Sequence, residues 1–281
     1  MNNILCAIAR NENLYINEWV RHHLKIGFSH IYLYDNNSKK DPYVGDFIDK
    51  ELLDKVTIID WRDRREIRLQ LTAYQDCYDK NQFDWCAFWD VDEFLVGVDD
   101  INAWLSQDSL RDKEQIKVKI TLFGDDDCLE RDMSIPLMDF FKKPIIANQG
   151  KDPPLVKCLV KGGLQNLRIN CCHYAERGMH QPLINCTPSG RQVLDGTLNM
   201  HIDPPDHYNG ETIFLNHYIT KTLKEFLDQK YKLCWVLMPY LTRGIEYFWY
   251  YNEKTPEKEQ YFKNYIKEHN LPFIDNIKKF C

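Results

Sequence analysis

Three carboxylates follow one short apolar run of the sequence, and their types and spacing suit metal chemistry. Cys86–Trp89 is apolar and predicts a buried strand, and Asp90, Asp92 and Glu93 come directly after it. A turn there lets two carboxylates reach one hard cation, for which oxygen ligands select magnesium, manganese or calcium. Carboxylates packed this closely also repel one another unless a cation or basic groups compensate. The alternative is a solvated acidic turn that caps the next helix, and the preceding apolar run favours the metal site.

The N-terminal part of the chain alternates short apolar runs with apolar residues at helical spacing. This alternation predicts βαβ units and a largely parallel sheet flanked by helices, which is an α/β fold. Polar groups at 10–12, 35–38 and 90–93 each follow a predicted strand. Because such sheets bind ligands at the carboxyl ends of their strands, these groups predict the site. The predicted strands are 4–9, 31–34, 56–59 and 86–89, and the predicted helices are 15–26, ended by Gly27, and 66–78, with Ile67, Leu71, Tyr74 and Tyr78 on one side.

The later part of the chain is less periodic. Residues 116–122 alternate apolar and polar types and predict a strand with one solvent-exposed face. The acidic run Asp125–Asp127 follows this strand. Residues 170–206 are rich in Gly, Pro, Asn, Cys and His and predict loops wrapped over a site. The sequence has no repeats and no obvious linker, which predicts one domain with a C-terminal extension. The remaining predicted elements are a strand at 155–160 and helices at 223–231 and 257–269.

Charge and composition disfavour several classes of protein. The net charge of −6 argues against nucleic acid as the main partner, because binding to the phosphate backbone needs clustered Lys and Arg. The sequence has no apolar stretch near the roughly 20 residues that span a bilayer and no signal-peptide pattern, so we expect a cytoplasmic protein with reduced cysteines. Cys171, Cys172 and His173, with Cys158 and Cys186 nearby, are expected to be buried and unligated.

Motifs in a fixed order extend from residue 4 to residue 231. They are Cys6-Ala7-Ile8-Ala9-Arg10-Asn11-Glu12, Glu18-Trp19, His22-His23, Gly27, Tyr34-Asp35-Asn36-Asn37-Ser38, Trp89-Asp90-Val91-Asp92-Glu93-Phe94, Phe123-Gly124-Asp125, Lys157-Cys158-Leu159-Val160-Lys161 and Asn216-His217-Tyr218-Ile219-Thr220-Lys221. Together they resemble the family-92 glycosyltransferases and their bacterial family-2-like relatives, and a match over this length is far more specific than any single motif.

The resemblance implies a fold, a reaction and a division of the chain. It implies the GT-A fold, inversion of anomeric configuration, and a divalent metal that is usually manganese. Characterised members include galactosyltransferases that use UDP-galactose. The single domain 1–281 would then comprise a nucleotide-sugar-binding half (1–100), an acceptor half (101–231) and a C-terminal helical extension (232–281).

The resemblance also implies how the metal and the diphosphate are held. Asp92, with Asp90 acting through the ribose or a water, is implied to hold manganese or magnesium, which neutralises the leaving phosphate as a Lewis acid. His217 matches the histidine that often completes the metal shell, and the alternative is a buried histidine satisfied by the backbone. The candidates for positive charge at the diphosphate are Lys221 and either Lys157 or Lys161.

The base and ribose of the nucleotide are expected at the ends of the first strands. Arg10, Asn11 and Glu12 offer donors and acceptors to the uracil edge. Asp35 lies where an acidic residue binds ribose hydroxyls in nucleotide-binding sheets, and the alternative is a turn residue with a capping side chain. The other expected contacts are Ala9, Asn36 and Val91, with Arg68 and Gln70 at the start of a helix that faces the same edge.

An inverting transfer also needs a base that takes the proton of the acceptor hydroxyl. Asp125 matches the family's Phe/Tyr-Gly-Asp element and is the predicted base, with Asp126 as the second candidate. The reserves are Glu176, Asp195 and Asp203. The alternative is an acidic loop that binds the acceptor without proton transfer. The sequence lacks the Gly-Asp-Asn-Gly of some relatives, which leaves the geometry of this loop open.

The predicted function is transfer of a sugar, galactose from UDP-galactose, to a glycan acceptor in surface polysaccharide or glycan synthesis. Two other classes stay open. A sugar nucleotidyltransferase would need a glycine-rich phosphate loop, and residues 10–12 contain no glycine. A non-catalytic carbohydrate-binding protein would use the late aromatics between Trp235 and Tyr250. The same aromatics, with Lys278 and Lys279, also fit a peripheral position on a membrane near a lipid-linked acceptor.

Overall fold

The structure is a computed structural model that describes residues 1–145, 155–178, 181–193, 208–231, 241–273 and 278–279. The chain divides into two compact units. The first comprises Met1–Arg64, Leu69–Ile120 and Asn148–Asn216, and the second comprises Arg65–Arg68, Thr121–Ala147 and His217–Cys281. The predicted functional division at residues 100 and 231 stays a prediction.

Strands and helices alternate through the first part of the chain. The described strands are β1 (Asn3–Ala9), β2 (His30–Asp35), β3 (Val56–Asp60), β4 (Trp85–Phe88), β5 (Glu93–Val96), β6 (Gln115–Phe123), β7 (Val156–Lys161), β8 (Leu167–Cys171), β9 (Tyr174–Arg177), β10 (Asn185–Cys186), β11 (Phe214–Tyr218), β12 (Leu241–Thr242) and β13 (Lys278–Lys279). The helices are α1 (Asn13–Lys25), α2 (Leu69–Lys80), α3 (Ile101–Leu105), α4 (Leu137–Phe140), α5 (Leu223–Gln229), α6 (Ile245–Tyr251) and α7 (Pro256–Glu268).

Nine strands of the described residues form the main sheet, in the order β3-β2-β1-β4-β7-β6-β11-β5, with β10 beside β6. The neighbours β3, β2, β1 and β4 are all parallel, and β7 is antiparallel to both β4 and β6. The predicted α/β fold is confirmed in these features. Among the described helices, none is long and apolar enough to cross a membrane.

Helix α1 is amphipathic and packs its apolar side against the sheet. Its Trp19 is buried and donates an indole N–H to the carbonyl of Glu93 at 2.9 Å. His22 Nε2 lies 2.8 Å from the carbonyl of Leu95, and the helix ends before Gly27, which has a φ of +103°. Side chains of α1 therefore hold β5, the strand that follows the three carboxylates.

The second unit has its own apolar core, which contains Phe226, Phe248, Phe262 and Tyr265. Helix α5 begins with a capping box in which Thr222 and Glu225 satisfy each other's backbone N–H groups. Helix α7 begins with proline in its first turn, where the missing N–H costs nothing.

Three sequence predictions of local structure are wrong. The helix predicted over 66–78 begins at Leu69, because Arg68 has a φ of +61° that interrupts helical geometry, and Ile67 is exposed rather than packed. Neither face of strand β6 is fully exposed to solvent, because β6 is an interior strand of the sheet and even Lys117 is buried. The predicted loop region 170–206 is described only at 170–178 and 181–193, and there it contains β9 and β10; the rest lies outside the described residues. The buried Gln115 amide accepts the Ala175 N–H and donates to Asn185, both at 2.6 Å.

Candidate functional site

The carboxyl ends of four parallel strands lie side by side at one edge of the sheet. The last residue of β1, Ala9, pairs with Asp35, and Asp35 pairs with Asp60. On the other side of β1, Phe88 pairs with Cys6, and the N–H of Trp89 donates to the Cys6 carbonyl at 3.3 Å. The turn after β4 therefore begins beside the last residues of β1, as the strand pattern predicts.

Asp90-Val91-Asp92-Glu93 forms a tight turn in which the first and last residues are hydrogen-bonded to each other. The N–H of Glu93 donates to the Asp90 carbonyl at 3.1 Å, and the Glu93 carboxylate accepts the N–H of Asp90 at 2.9 Å. Val91, Asp92 and Glu93 are buried, whereas the side chain of Asp90 is 32% exposed. Asp90 is therefore the most open carboxylate of the three.

A buried lysine lies among these carboxylates. Lys157 lies in β7, where the antiparallel register pairs Leu159 with Ala87 of β4 and so brings Lys157 beside the turn. Its Nζ is 2.7 Å from Asp90 Oδ2 and 3.2 Å from Glu93 Oε2, and its side chain is only 3% exposed. Burial alone would lower the pKa of Lys157, but the Asp90 carboxylate in the first place raises that pKa well above its usual value. The ammonium group of Lys157 therefore places a positive charge against the acidic turn.

Gln70 holds the other oxygen of Asp90. Its amide donates to Asp90 Oδ1 at 2.8 Å and to the Tyr74 hydroxyl at 3.0 Å. Gln70 lies in the first turn of α2, so the helix that follows β3 fixes a carboxylate that follows β4. The sequence suggested Gln70 only as a weak nucleotide contact. Its contact with Asp90 spans 20 residues, and no local pattern indicates it.

The polar cluster after β2 is engaged in turn contacts. One oxygen of the buried Asp35 carboxylate accepts the N–H of Asn37 at 3.0 Å, and the other lies 3.5 Å from the N–H of Val44. Burial raises the pKa of Asp35. Asn36 donates to the carbonyls of Trp61 and Arg64 at 2.9 and 3.0 Å. These contacts fit the turn-capping alternative for Asp35, and its ribose contact stays a prediction.

The residues that follow β1 are partly exposed and are tied to the cluster after β2. Ala9 is buried, and its carbonyl accepts the N–H of Asn36 at 2.9 Å. Asn11 has a φ of +58° and donates its N–H to Asn37 Oδ1 at 2.8 Å. Arg10 and Glu12 stand on either side of it with partly exposed side chains.

Basic side chains follow β3, and most of them are not among the predicted site residues. The Arg64 guanidinium lies over the Trp61 ring at 3.9 Å, and the Arg62 guanidinium lies over the Tyr43 ring at 5.5 Å. Arg68, the predicted contact, is exposed. The signal available in the sequence is the density of arginine in 62–68.

The predicted base, Asp125, lies in the second unit in a buried ion pair. Its Oδ2 is 2.6 Å from Lys258 Nζ, and the two side chains are 4% and 3% exposed. Its Oδ1 accepts the N–H of Asp127 at 3.0 Å, and its own N–H donates to Asn252 Oδ1 at 2.7 Å. Burial raises the pKa of Asp125, against the opposing effect of Lys258. Gly124 permits the close approach, because a Cβ there would lie 2.4 Å from the Asn252 oxygen.

Asp126 and a nearby cavity complete the acidic loop of the second unit. Asp126 is partly exposed, and its carboxylate accepts the N–H groups of Lys142 and Lys143 at 2.8 and 3.2 Å. Beside the loop lies an open cavity of about 580 Å³. Its lining residues are Asp127, Cys128, Leu129, Glu130, Glu253, Thr255, Glu257, Lys258 and Tyr261.

Two further predicted contacts lie in the second unit. His217 is partly buried in β11. Lys221 is buried and has a φ of +59°, directly before the cap of α5. Of the reserve bases, Glu176 is buried, and Asp195 and Asp203 lie outside the described residues. The roles predicted for these residues stay predictions.

Within the part of the chain that the structure describes, no three His, Cys, Asp or Glu side chains are arranged to hold a metal ion. The predicted ligand set takes Asp90 and Asp92 from the first unit and His217 from the second. That set stays a prediction.

Comparison with known proteins identifies the family. The sequence profile of glycosyltransferase family 92 matches residues 6–160, which include β1, β4 and the acidic turn. The chain belongs to glycosyltransferase family 92. It is also 30% identical over 93 residues to a glycosyltransferase family 92 protein of Ricinus communis, a match that covers 32% of this chain and 16% of that protein.

Solved structures resemble the chain only weakly. A mannosyltransferase of Pyrobaculum calidifontis in complex with GDP-Man and Mn²⁺ has a TM-score of 0.33 at 11% identity, over 42% of this chain and 35% of its own. TarS of S. aureus in complex with UDP-GlcNAc has a TM-score of 0.33 at 10% identity, over 47% and 37%. A thymidylyltransferase of Bacillus anthracis has a TM-score of 0.29 at 15% identity, over 45% and 56%.

Proposed function

We propose that this chain is an inverting glycosyltransferase that moves a sugar from a nucleotide diphosphate sugar to a hydroxyl of a carbohydrate acceptor. The observation that carries the proposal is the Asp90–Asp92 turn at the carboxyl ends of β1, β2 and β4, in a member of glycosyltransferase family 92. Ligands of open α/β sheets bind at this edge. UDP-galactose is the proposed donor, and a glycan is the proposed acceptor.

The donor set fits a hard divalent cation. Asp90 and Asp92 offer only carboxylate oxygens, which suit manganese or magnesium, and Asp90 is open enough to accept a further partner. Each Asp90 oxygen already accepts from Gln70 or Lys157, but a carboxylate has about four lone-pair sites, so a cation can share it. When bound, the cation supplies positive charge to the leaving diphosphate. The residues therefore fit the metal that the family resemblance implies.

The protein's own groups have two tasks in the proposed transfer. Lys157 and Gln70 keep the Asp90 carboxylate in one orientation. The nucleotide sugar and its cation would therefore bind to a carboxylate that is already positioned. A base must also take the proton of the acceptor hydroxyl as the bond to the anomeric carbon forms. Asp125 is the proposed base and Asp126 the alternative. For Asp125 to act, its ion pair with Lys258 would have to open, whereas Asp126 is already partly exposed.

A panel of nucleotide sugars tests the proposed function. The protein is incubated with each sugar, manganese and a set of oligosaccharide acceptors, and released nucleoside diphosphate is measured. We expect acceptor-dependent release of UDP, most strongly from UDP-galactose, and its loss in excess EDTA. In a parallel incubation with added pyrophosphate, formation of nucleoside triphosphate and sugar 1-phosphate would identify a nucleotidyltransferase, and glycan binding without any turnover would identify a carbohydrate-binding protein. Either result contradicts the proposal.

A further inference from the structure

We propose that Lys157 is a built-in cation of the acidic turn, and that it makes binding of a divalent metal depend on the nucleoside diphosphate. The inference rests on the proposed function, because it concerns the same turn. It differs from the role predicted from sequence, in which Lys157 contacts the diphosphate. In the structure the ammonium group faces the carboxylates.

The first step is the placement of the ammonium group. Its distances of 2.7 Å to Asp90 and 3.2 Å to Glu93 are those of two ion pairs, and the Lys157 side chain is almost fully buried. A buried cation is stable only when carboxylates or hydrogen bonds compensate its lost hydration. Asp90 and Glu93 supply that compensation. The negative charge of the turn is therefore already partly neutralised before any metal binds.

The second step is the effect on a metal ion. A divalent cation bound to Asp90 would share that carboxylate with an ammonium group that lies 2.7 Å from one of its oxygens. The metal and the ammonium group would then be held by the same carboxylate, and like charges held this close repel each other. The metal alone should therefore bind weakly, although three carboxylates lie within four residues.

The third step is the effect of the donor. A nucleoside diphosphate brings negative oxygens to the same cation and offsets the repulsion from Lys157. Metal and nucleotide then bind cooperatively, and thermodynamic linkage requires each to tighten the other by the same factor. Gln70 cannot produce this effect, because its amide holds Asp90 without charge. Lys157 is therefore a positioning residue that also couples metal binding to nucleotide binding.

The test measures manganese affinity directly. Free Mn²⁺ is followed by electron paramagnetic resonance with the wild type, Lys157→Met and Lys157→Arg, with and without UDP. Lys157→Met removes the charge at similar length, and Lys157→Arg keeps it. Lys119→Met is the control, because Lys119 is a partly exposed lysine of β6, the strand that neighbours β7, and has no predicted role in the site.

We expect UDP to tighten Mn²⁺ binding to the wild type at least about tenfold, within the usual range of coupling between two sites. Lys157→Met should bind Mn²⁺ without UDP at least about tenfold more tightly than the wild type, and UDP should add less. Lys157→Arg and Lys119→Met should behave like the wild type. Unchanged or weaker Mn²⁺ binding by folded Lys157→Met would overturn the inference.

If Lys157→Met does not fold, a second measurement tests the coupling between metal and nucleotide binding in the wild type. Isothermal titration of the wild type with UDP, with and without Mn²⁺, must give the same coupling factor as the metal titration. Independent binding of the two ligands would overturn the inference. If the wild type binds no nucleotide at all, the proposed function fails, and the metal-only comparison of Lys157→Met with the wild type still decides the role of the lysine.

Discussion

Two acidic loops of this chain each contain carboxylates paired with a buried lysine, and they differ in how exposed Asp90 and Asp125 are. In the first unit, Lys157 pairs with Asp90 and Glu93, and in the second unit, Lys258 pairs with Asp125 at 2.6 Å. Both lysine side chains are 3% exposed. The carboxylates differ, because the side chain of Asp90 is 32% exposed and that of Asp125 is 4% exposed.

Under the proposal, Asp90 is a carboxylate held for a ligand, whereas the contacts of Asp125 stabilise its own loop. Gln70 and Lys157 orient Asp90 and leave part of it open. Asp125 is closed in by Lys258, by the N–H of Asp127 and by the side chain of Asn252. Three acidic residues in succession therefore indicate no function by themselves. The exposed fraction of the paired carboxylate is the more informative property.

The largest expected effect lies in the first loop. Asp92→Asn should lower the rate of transfer by about 10³-fold or more, because under the proposal it removes a ligand of the cation that would neutralise the leaving diphosphate. The unfolding midpoint should change little. Initial rates and thermal unfolding are measured side by side, with the exposed Asp99→Asn as the control for an acidic residue on the same stretch. Near-normal activity in Asp92→Asn would contradict the metal assignment.

The second loop should respond in stability first. Asp125→Asn leaves Lys258 buried without its closest carboxylate, so unfolding should cost about 3–5 kcal/mol less, as for other broken buried ion pairs. Denaturant unfolding measures this loss. If Asp125 is also the base, kcat falls by about 10²–10⁴-fold while the Kd of the donor is kept.

The double variant Asp125→Asn/Lys258→Met separates these two roles. Removing both charges should restore most of the stability that the single variant loses, because replacing a whole buried pair is often neutral. Recovery of kcat together with stability would show that Asp125 acts only through the fold. A persistent loss of kcat in the stable double variant would support Asp125 as the base, and Asp126→Asn then serves as the comparison.

A smaller contrast is expected at the two amides that support the loops. Gln70→Ala removes a hydrogen bond to the Asp90 carboxylate. It should lower the free energy of unfolding by about 1.5–3 kcal/mol and also raise the donor KM about tenfold. Asn252→Ala removes bonds to the Asp125 N–H, the Thr220 hydroxyl and the Phe248 carbonyl. It should lower stability by about 1–3 kcal/mol and leave the donor KM unchanged. The opposite pattern would reverse the roles assigned to the two loops.

The sequence predicts the first unit well because its signals are local. The apolar runs of β1 and β4 and the spacing of Trp19 and His22 in α1 identify elements without any knowledge of distant contacts. Strand β5 is not predicted, since Glu93–Val96 follows the acidic turn directly and is held by α1, a contact that the sequence does not reveal. The start of α2 depends on the positive φ of Arg68, which sequence does not reveal.

The partners of the site residues could not be predicted for the same reason. The Asp90 ion pair with Lys157 spans 67 residues, and the pair of Asp125 with Lys258 joins the loop after β6 to α7. Each depends on register and packing that appear only in the folded chain. The sequence thus identifies the acidic groups, and the structure distinguishes their surroundings.

Anomalous diffraction from a crystal soaked with UDP and Mn²⁺ tests the central claim most directly. We expect a manganese peak within about 2.0–2.2 Å of a carboxylate oxygen of Asp92 or Asp90, the usual range for small divalent cations, with the diphosphate on the same ion. Lys157 should still face Asp90 and Glu93. A diphosphate bound away from the turn after β4, or manganese bound without contact to either aspartate, would contradict the account.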